Sequence, residues 1–383
     1  MNKNFSLYLH AVRFCAAMGV FVSHFVIARW TGGAFPKAVS YKIGEFGVDL
    51  VMVFFVLSGF VIAYTADVKD RHWRDYAFNR GTRIYSVAIP AIILGFLLDR
   101  TGAALNPESY QGWWYAEHSL AELLLRGATF TNEFWIAPFR IGSNGPYWSL
   151  GYEVWYYVLF GVALFARGLA RLGVFGLILL LAGPGVVLLG GVWLMGVVLY
   201  RVMRRDAGRV ATGRWPLAAA AGAAVLPVMG FGALRLLGGD DFLYAQGDAL
   251  AEALGLKQSI GRANLFLWHW VVGALVAVHF YGMAAQLGRV HQPVGRVVSS
   301  PIRWLAGASF SLYLVHYPLM QALDAVLVGD GANPYRMAFL AAATLIGCFV
   351  FAEVFERPLA RLRTWIRWAA SGARSGAVLP PGE

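Results

Sequence analysis

Arg13 and His24 lie inside the first apolar segment of the chain, which runs from Leu7 to Ile27 and is long enough to cross a bilayer as one helix. At about 100° per residue, their spacing puts both side chains on one helix face, about 16 Å apart along the axis. Because a charge in the hydrocarbon core is costly unless it faces protein or water, such an arginine is a functional-site hypothesis. The alternative is an arginine near one helix end and a histidine at the far interface.

Three further polar groups are expected at the same membrane level as His24. Asp49 opens the second apolar segment, Glu153 lies early in the fourth, and His269 lies early in the eighth. A histidine beside a carboxylate is a common general base, because the carboxylate fixes the tautomer and stabilises the imidazolium. We therefore predict His24, Glu153 and Asp49 as catalytic residues and His269 as a secondary candidate. The alternative is polar packing between helices.

A second group of candidates is expected toward the opposite face of the membrane. The guanidinium groups of Arg80 and Arg83 suit phosphate oxygens, so these residues and Arg13 are predicted to bind an anionic donor. Ser58 is predicted to contact that ligand, although with Gly59 it also forms a small pair that lets helices approach closely. For the arginines the alternative is the ordinary excess of positive charge in cytoplasmic loops.

The composition indicates a polytopic membrane protein. Of the 383 residues, 58% are hydrophobic and only 14% are charged, which excludes a soluble globular domain. The formal net charge of +11 follows the positive-inside rule, so it predicts contact with anionic lipids and not with nucleic acid. The only two cysteines, Cys15 and Cys348, lie in apolar segments, so neither a disulfide framework nor a metal site is predicted.

Apolar segments set the predicted topology, an all-α fold with about ten transmembrane helices. With both termini in the cytoplasm, lysine and arginine favour the cytoplasmic segments about two to one. Gly183-Pro184-Gly185 either separates two spans or breaks a single one. Residues 1–360 are predicted to form the membrane domain, and residues 361–383 a basic, disordered cytoplasmic tail. The segments are 7–28, 47–65, 84–98, 146–165, 173–184, 186–200, 215–234, 263–282, 304–324 and 337–356.

The loop from Asp99 to Gly145 is too long to be a simple connector. Its stretch from Ser119 to Gly127 predicts an amphipathic surface helix. The loop is rich in aromatic residues that either stack on sugar rings or form an interfacial belt: Tyr110, Trp113, Trp114, Tyr115, Phe134, Trp135 and Phe139.

Several motifs in order resemble the acyltransferase 3 family of bacterial membrane acyltransferases, over residues 7 to about 360. The resemblance implies transfer of an acyl group, usually acetyl, from coenzyme A to a hydroxyl of a surface carbohydrate, with Arg13 and His24 as the essential pair. Trp148 and His316, which lie within these motifs, are secondary candidates. The motifs are Arg13 with His24, Gly47 to Phe60, Arg80-x-x-Arg83-Ile84, Tyr147 to Leu150 followed by Glu153, Ser311 to Leu314 with His316, and Glu356-x-Pro358.

The sequence thus predicts a membrane O-acyltransferase of the bacterial inner membrane, with His24 as general base. The expected partners are acyl-CoA as co-substrate, a carbohydrate or glycolipid acceptor, and anionic lipids, with no tightly bound cofactor. Direct transfer and an acyl-enzyme intermediate both remain open, and a homodimer is one candidate assembly. The rival class is a transporter or flippase for a glycolipid or polysaccharide precursor, in which Arg13, His24 and Glu153 act as substrate or proton relays. The absence of a visible internal repeat weakens that alternative.

Overall fold

A computed structural model describes residues 1–206 and 216–375. The described part consists of helices and loops with no strand, which confirms the predicted all-α fold. In chain order the helices are α1 (Lys3–Phe25), α2 (Ala28–Thr31), α3 (Lys37–Val68), α4 (Trp73–Leu105), α5 (Leu120–Ala128), α6 (Trp148–Phe165), α7 (Gly168–Ala182), α8 (Pro184–Arg205), α9 (Leu217–Leu236), α10 (Gly239–Ala253), α11 (Phe266–Leu287), α12 (Arg296–Ala306), α13 (Ser309–Val326), α14 (Pro334–Phe351) and α15 (Leu359–Ser375).

A helix occupies each of the ten predicted segments, and the protein is a multi-pass membrane protein. Within the described residues, seven helices are long and apolar enough to span a bilayer: α1, α3, α4, α8, α9, α11 and the helical stretch from Pro334 to Ala370. The shorter α7 is apolar, whereas α6 and α13 carry several polar side chains. The count of ten spans and the cytoplasmic location of the termini therefore stay predictions.

The polar helix α13 is surrounded by other helices. It packs against α1, α4 and α14, and His316 and Gln321 are fully buried in it. A helix enclosed by protein can carry such groups in a membrane because its neighbours, and not lipid, contact them. Because α13 is enclosed by other helices, it can carry polar side chains inside the bundle.

Helices α3 and α8 approach closely where each carries a glycine. A Cβ atom at Gly59 would lie 2.0 Å from the carbonyl oxygen of Trp193, and one at Gly196 would lie 2.0 Å from that of Val56. Small residues at such contacts let two membrane helices pack backbone to backbone. The close approach predicted for the Ser58-Gly59 pair is therefore confirmed.

The break between the fifth and sixth segments separates two helices. Gly183 has a φ of +86°, a conformation that side chains rarely adopt, and it ends α7. Pro184 is the first residue of α8, where its missing N–H is not needed. The sequence leaves open whether this stretch is one broken helix or two helices, and the structure shows two separate helices.

The N-terminus of α1 and helix α15 lie at one end of the bundle, called here the inner end. Asn4 on α1 donates to the carbonyl oxygens of Val290 and Gln292, which follow α11. On α15, Arg363 donates to Thr82 Oγ1 at 2.8 Å and to Asn79 O at 2.6 Å, both in the first turns of α4.

The first part of the predicted tail is helical, because α15 continues to Ser375, and the disorder of the tail stays a prediction. Leu359, Leu362 and Ile366 recur at helical spacing and give this basic segment an apolar face that charge counting overlooks. Residues 376–383 of the predicted tail lie outside the described residues.

The long loop between α4 and α6 covers the opposite end, called here the outer end. The predicted amphipathic helix is confirmed as α5, which begins with a capping box between Ser119 and Glu122 and buries Leu123. Most loop aromatics contact protein: Trp114 lies 4.4 Å from the Arg29 guanidinium, Trp135 Nε1 donates to Leu180 O at 2.9 Å, and Phe134 packs on Trp155.

Candidate functional site

A cavity of about 370 Å³ lies between α1, α3, α4, α6 and α13 and reaches the inner end beside Lys69, Asn79 and Arg363. Its walls include all four residues predicted to bind the donor, together with one predicted catalytic residue: Arg13, Ser58, Arg80, Arg83 and Glu153. We call it the inner cavity. Its volume falls within the range of small-molecule sites.

Positive charge dominates the lining of the inner cavity. Five cationic side chains and two carboxylates line it. Arg80 Nη1 donates to Asp70 Oδ2 at 2.5 Å, and its Nη2 donates to Thr65 Oγ1 at 2.5 Å. Lys69 and Arg363 have no ion-pair partner in residues 1–206 and 216–375. The cavity thus keeps excess positive charge at its mouth. The five cations are Arg13, Lys69, Arg80, Arg83 and Arg363, and the carboxylates are Asp70 and Glu153.

Glu356 holds Arg83 in the cavity wall. Its Oε1 accepts a bond of 3.0 Å from Arg83 Nη2, and its Oε2 accepts one of 2.8 Å from the backbone N–H of Ser311. Glu356 ends a single turn of π-helix, Ala352–Glu356, a distortion that is frequent at functional sites. The sequence signal was Glu356-x-Pro358, but sequence reasoning assigned Glu356 no role.

Glu153 ends a directed hydrogen-bond chain inside the cavity. Trp193 Nε1 donates to Ser58 Oγ at 3.2 Å, and Ser58 Oγ lies 2.9 Å from Tyr157 Oη. Tyr157 Oη donates to Glu153 Oε1 at 2.5 Å. Because the indole can only donate and an ionised carboxylate can only accept, the chain runs from Trp193 to Glu153. Ser58 therefore lines the inner cavity and is also held by hydrogen bonds to Tyr157 and Trp193.

Arg13 lies in the same wall, where it donates to the backbone oxygen of Ala306 at the end of α12. Its buried Nε has no hydrogen-bond partner in the described part of the chain. Arg13 therefore retains a donor beyond the one that anchors it to α12.

His24 contacts a second histidine and no carboxylate among the described residues. Its Nδ1 lies 2.9 Å from His316 Nε2, and the two rings stack with centroids 5.2 Å apart. His316 Nδ1 lies 2.7 Å from Leu312 O, which can only accept. Neutral His316 therefore carries its proton on Nδ1, so its Nε2 accepts from His24 Nδ1–H. These tautomers are assigned from the hydrogen-bond network.

The consequence is an unprotonated Nε2 on His24. In the part of the chain that the structure describes, the hydrogen bond of the His24 side chain is made by Nδ1 and none is made by Nε2. A neutral imidazole whose Nδ1–H is fixed presents its Nε2 lone pair as a proton acceptor. His316 thus takes the positioning role that the sequence analysis gave to a carboxylate.

Tyr313 on α13 lies between the part of the helix that lines the inner cavity and His316. It lines the cavity, its ring packs on Phe54 with centroids 5.6 Å apart, and its Oη lies 2.6 Å from Ser149 Oγ. Tyr313 precedes His316 by three residues, or about 4.5 Å along α13. Tyr313 is therefore the lining residue of α13 that is nearest along the helix to the histidine pair.

Asp49 and His269 do not join His24, so the predicted convergence of four groups is wrong. Asp49 forms an ion pair of 2.6 Å with Arg235 and accepts a bond of 2.8 Å from Trp268 Nε1. His269 is fully buried, and neither ring nitrogen has a partner within the described ranges. Asp49 on α3 instead faces Arg235 on α9 and Trp268 on α11, so its side of α3 is turned away from His24.

One comparison with known proteins identifies a relationship. A family model described as an acyltransferase domain, that of the acyltransferase 3 family, matches residues 6–353. No curated protein and no solved structure matches the chain.

Proposed function

The chain belongs to the acyltransferase 3 family and is an acyltransferase in the membrane, and from this premise we propose that it transfers an acyl group, typically acetyl, from acyl-CoA to a hydroxyl of an exported carbohydrate. The proposed location is the bacterial inner membrane, with the inner end in the cytoplasm. The observation that carries the proposal is the positively charged inner cavity, which ends one helical turn from the histidine pair.

The charge of the inner cavity supports an acyl-CoA donor. Coenzyme A carries several phosphate charges at one end and its thioester at the end of a long, thin arm. Lys69 and Arg363 at the mouth suit the phosphates. Arg13 lies farther along the cavity, where its free donor can bind a carbonyl oxygen of the arm. The thioester then reaches the cavity end at Tyr313.

The chemistry proposed for His24 is direct transfer. His24 Nε2 takes the proton of the acceptor hydroxyl as its oxygen attacks the thioester carbonyl. The carbon–sulfur bond breaks, and the coenzyme A thiolate leaves and receives that proton from the imidazolium. His316 accepts from His24 Nδ1–H throughout and supports the imidazolium.

A transfer assay separates this function from transport. The purified protein in nanodiscs is given acetyl-CoA with and without an acceptor glycan. We expect free coenzyme A and acetylated glycan to form in equal amounts, and only with acceptor present. Binding or movement of the glycan without release of coenzyme A would instead support a transporter or flippase.

Lys69 and Arg363, at the mouth of the inner cavity, give a specific prediction about the donor. The double variant Lys69→Gln, Arg363→Gln is expected to raise the KM for acetyl-CoA about five- to tenfold, because a charge pair near the protein surface contributes at most about 1 kcal/mol. The KM for the acceptor is expected to stay unchanged. Arg361→Gln is the matched control, since Arg361 is exposed on the same helix and does not line the cavity. A shift in the acceptor KM, or equal effects of the variant and the control, would contradict the donor assignment.

A further inference from the structure

A second cavity lies at the outer end and shares no lining residue with the inner cavity. It measures about 480 Å³ and lies between the long loop, the beginning of α6 and the turn before α11. We call it the outer cavity. Its polar lining residues are Asn132, Glu133, Arg140, Asn144 and Arg262, and its aromatic ones are Phe139, Tyr147 and Trp148.

Two buried amide oxygens in the outer cavity lack partners. Asn132 and Asn144 are 1% and 4% exposed, and the Oδ1 atom of each has no hydrogen bond in the described part of the protein. The other end of each side chain is held, since Asn144 Nδ2 donates to Leu314 O at 2.8 Å and Asn132 Nδ2 donates to Glu133 Oε1 at 3.3 Å. Buried acceptors are normally satisfied, so the cavity is suited to a ligand that donates O–H groups.

The charges of the outer cavity favour an anion among such ligands. Arg140 and Arg262 line it with Glu133 as the one lining carboxylate, and neither arginine has an ion-pair partner within 4.0 Å among the described residues. Guanidinium groups bind carboxylates with two parallel hydrogen bonds. The aromatic surfaces of Phe139 and Trp148 suit the C–H face of a sugar ring.

The outer cavity is also close to the proposed base. Asn144 bonds to the carbonyl of Leu314, two residues before His316 on α13. Arg262 is near enough to both His24 and Glu133 for charge–charge interaction. The outer cavity is thus joined through Asn144 to the part of α13 that carries His316.

We propose that the outer cavity binds an acidic sugar, with its hydroxyls on Asn132 and Asn144 and its carboxylate on Arg140 and Arg262, and thereby selects the acceptor. This inference rests on the proposed acyl transfer and specifies the class of its acceptor. The selected hydroxyl is the one that the bound ring directs toward His24 Nε2.

Glu133 adds a pH dependence. It lies in the loop, and burial raises its pKa from 4.5 to about 7, although Arg262, a hydrogen bond from Asn132 and Arg140 all lower it. Among the described residues, Tyr152 on α6 also faces Glu133. Below pH 7 Glu133 is neutral and both arginines are available to an anion, whereas above pH 7 its carboxylate competes for them. Binding of the acidic sugar is therefore stronger below pH 7, and Glu133→Gln removes this dependence.

The test compares matched methyl glycosides of glucose and glucuronic acid and of galactose and galacturonic acid. Binding is measured by saturation-transfer difference NMR without donor, and the acceptor KM is measured with acetyl-CoA. We expect the acidic member of at least one pair to bind about tenfold or more tightly, because a hydrogen bond to a charged group is worth about 1.5–3 kcal/mol. Arg140→Gln and Arg262→Gln should each remove most of that preference and leave the donor KM unchanged. Arg100→Gln, an exposed loop-side arginine paired with Glu117, is the control.

The outcomes separate this inference from the proposed function. Equal binding of neutral and acidic sugars, or a preference that survives both arginine variants, overturns the acidic-sugar site even if acyl transfer occurs. Binding of the acidic sugar in the predicted, arginine-dependent way without acetylation leaves the site standing and contradicts the acyltransferase proposal instead.

Discussion

Replacing His24 with alanine or glutamine is expected to lower the rate of acyl transfer by about 10²- to 10⁴-fold, the usual contribution of a general base. Glutamine separates chemistry from structure, because its amide N–H₂ can still donate to His316 Nε2 but its side chain cannot take a proton at neutral pH. Both variants should therefore lose activity to a similar extent.

The measurement is the single-turnover rate in nanodiscs, with the thermal midpoint of unfolding as the control for folding. His291→Ala changes an exposed histidine at the inner end and should have the rate of the unchanged protein. A His24→Gln protein that keeps most of its activity would rule out His24 as the base. If His24→Ala loses both activity and folding and His24→Gln loses neither, His24 acts through packing and not as the base.

Replacing His316 with leucine is expected to lower the turnover number by about 10²- to 10⁴-fold, since wrong tautomers of a catalytic histidine have effects of that size. Without His316 Nε2, nothing directs the proton of His24 to Nδ1, and the base nitrogen is no longer fixed. His316→Gln should lose far less, because glutamine can accept from His24 Nδ1–H and donate to Leu312 O as histidine does.

The difference between the two variants is the decisive readout for His316. A positioning residue should change the turnover number and leave both KM values nearly constant, whereas a defect in packing would disturb binding or stability. Equal losses in His316→Leu and His316→Gln, with normal unfolding temperatures, would contradict the proposed control of the tautomer.

Much of the fold and the donor side could be predicted from sequence because both depend on patterns along single helices. Long apolar segments predict the helices, and the Ser58-Gly59 pair predicts the close contact with α8. Arg13, Arg80 and Arg83 stand out because charges in or beside apolar segments are rare. The structure brings all three arginines into one cavity.

The partners of these residues could not be predicted, because periodicity gives the face of a helix but not the neighbour that it meets. His24 was expected beside Asp49 or Glu153, yet it meets His316. Asp49 is paired with Arg235, nearly two hundred positions along the chain, and no sequence signal relates the two.

The outer cavity was missed for a related reason. Its polar residues lie in a loop and a turn, where neither hydropathy nor helical spacing applies. The sequence shows the aromatic richness of this loop and leaves open whether its aromatics stack on sugar rings or form an interfacial belt. Of the seven loop aromatics, Phe139 is the one that lines the outer cavity.

In the proposed mechanism, donor and acceptor reach His24 from opposite ends of the bundle. Sealed proteoliposomes in which the orientation of the protein is known from an N-terminal tag test this arrangement. Acetyl-CoA is supplied only on the side of the inner end, and the acceptor glycan is enclosed on the other side. We expect free coenzyme A on the donor side and acetylated glycan in the opposite compartment, in equal amounts. Acetylation only when both substrates share one compartment, or glycan that crosses the bilayer unmodified, would contradict it.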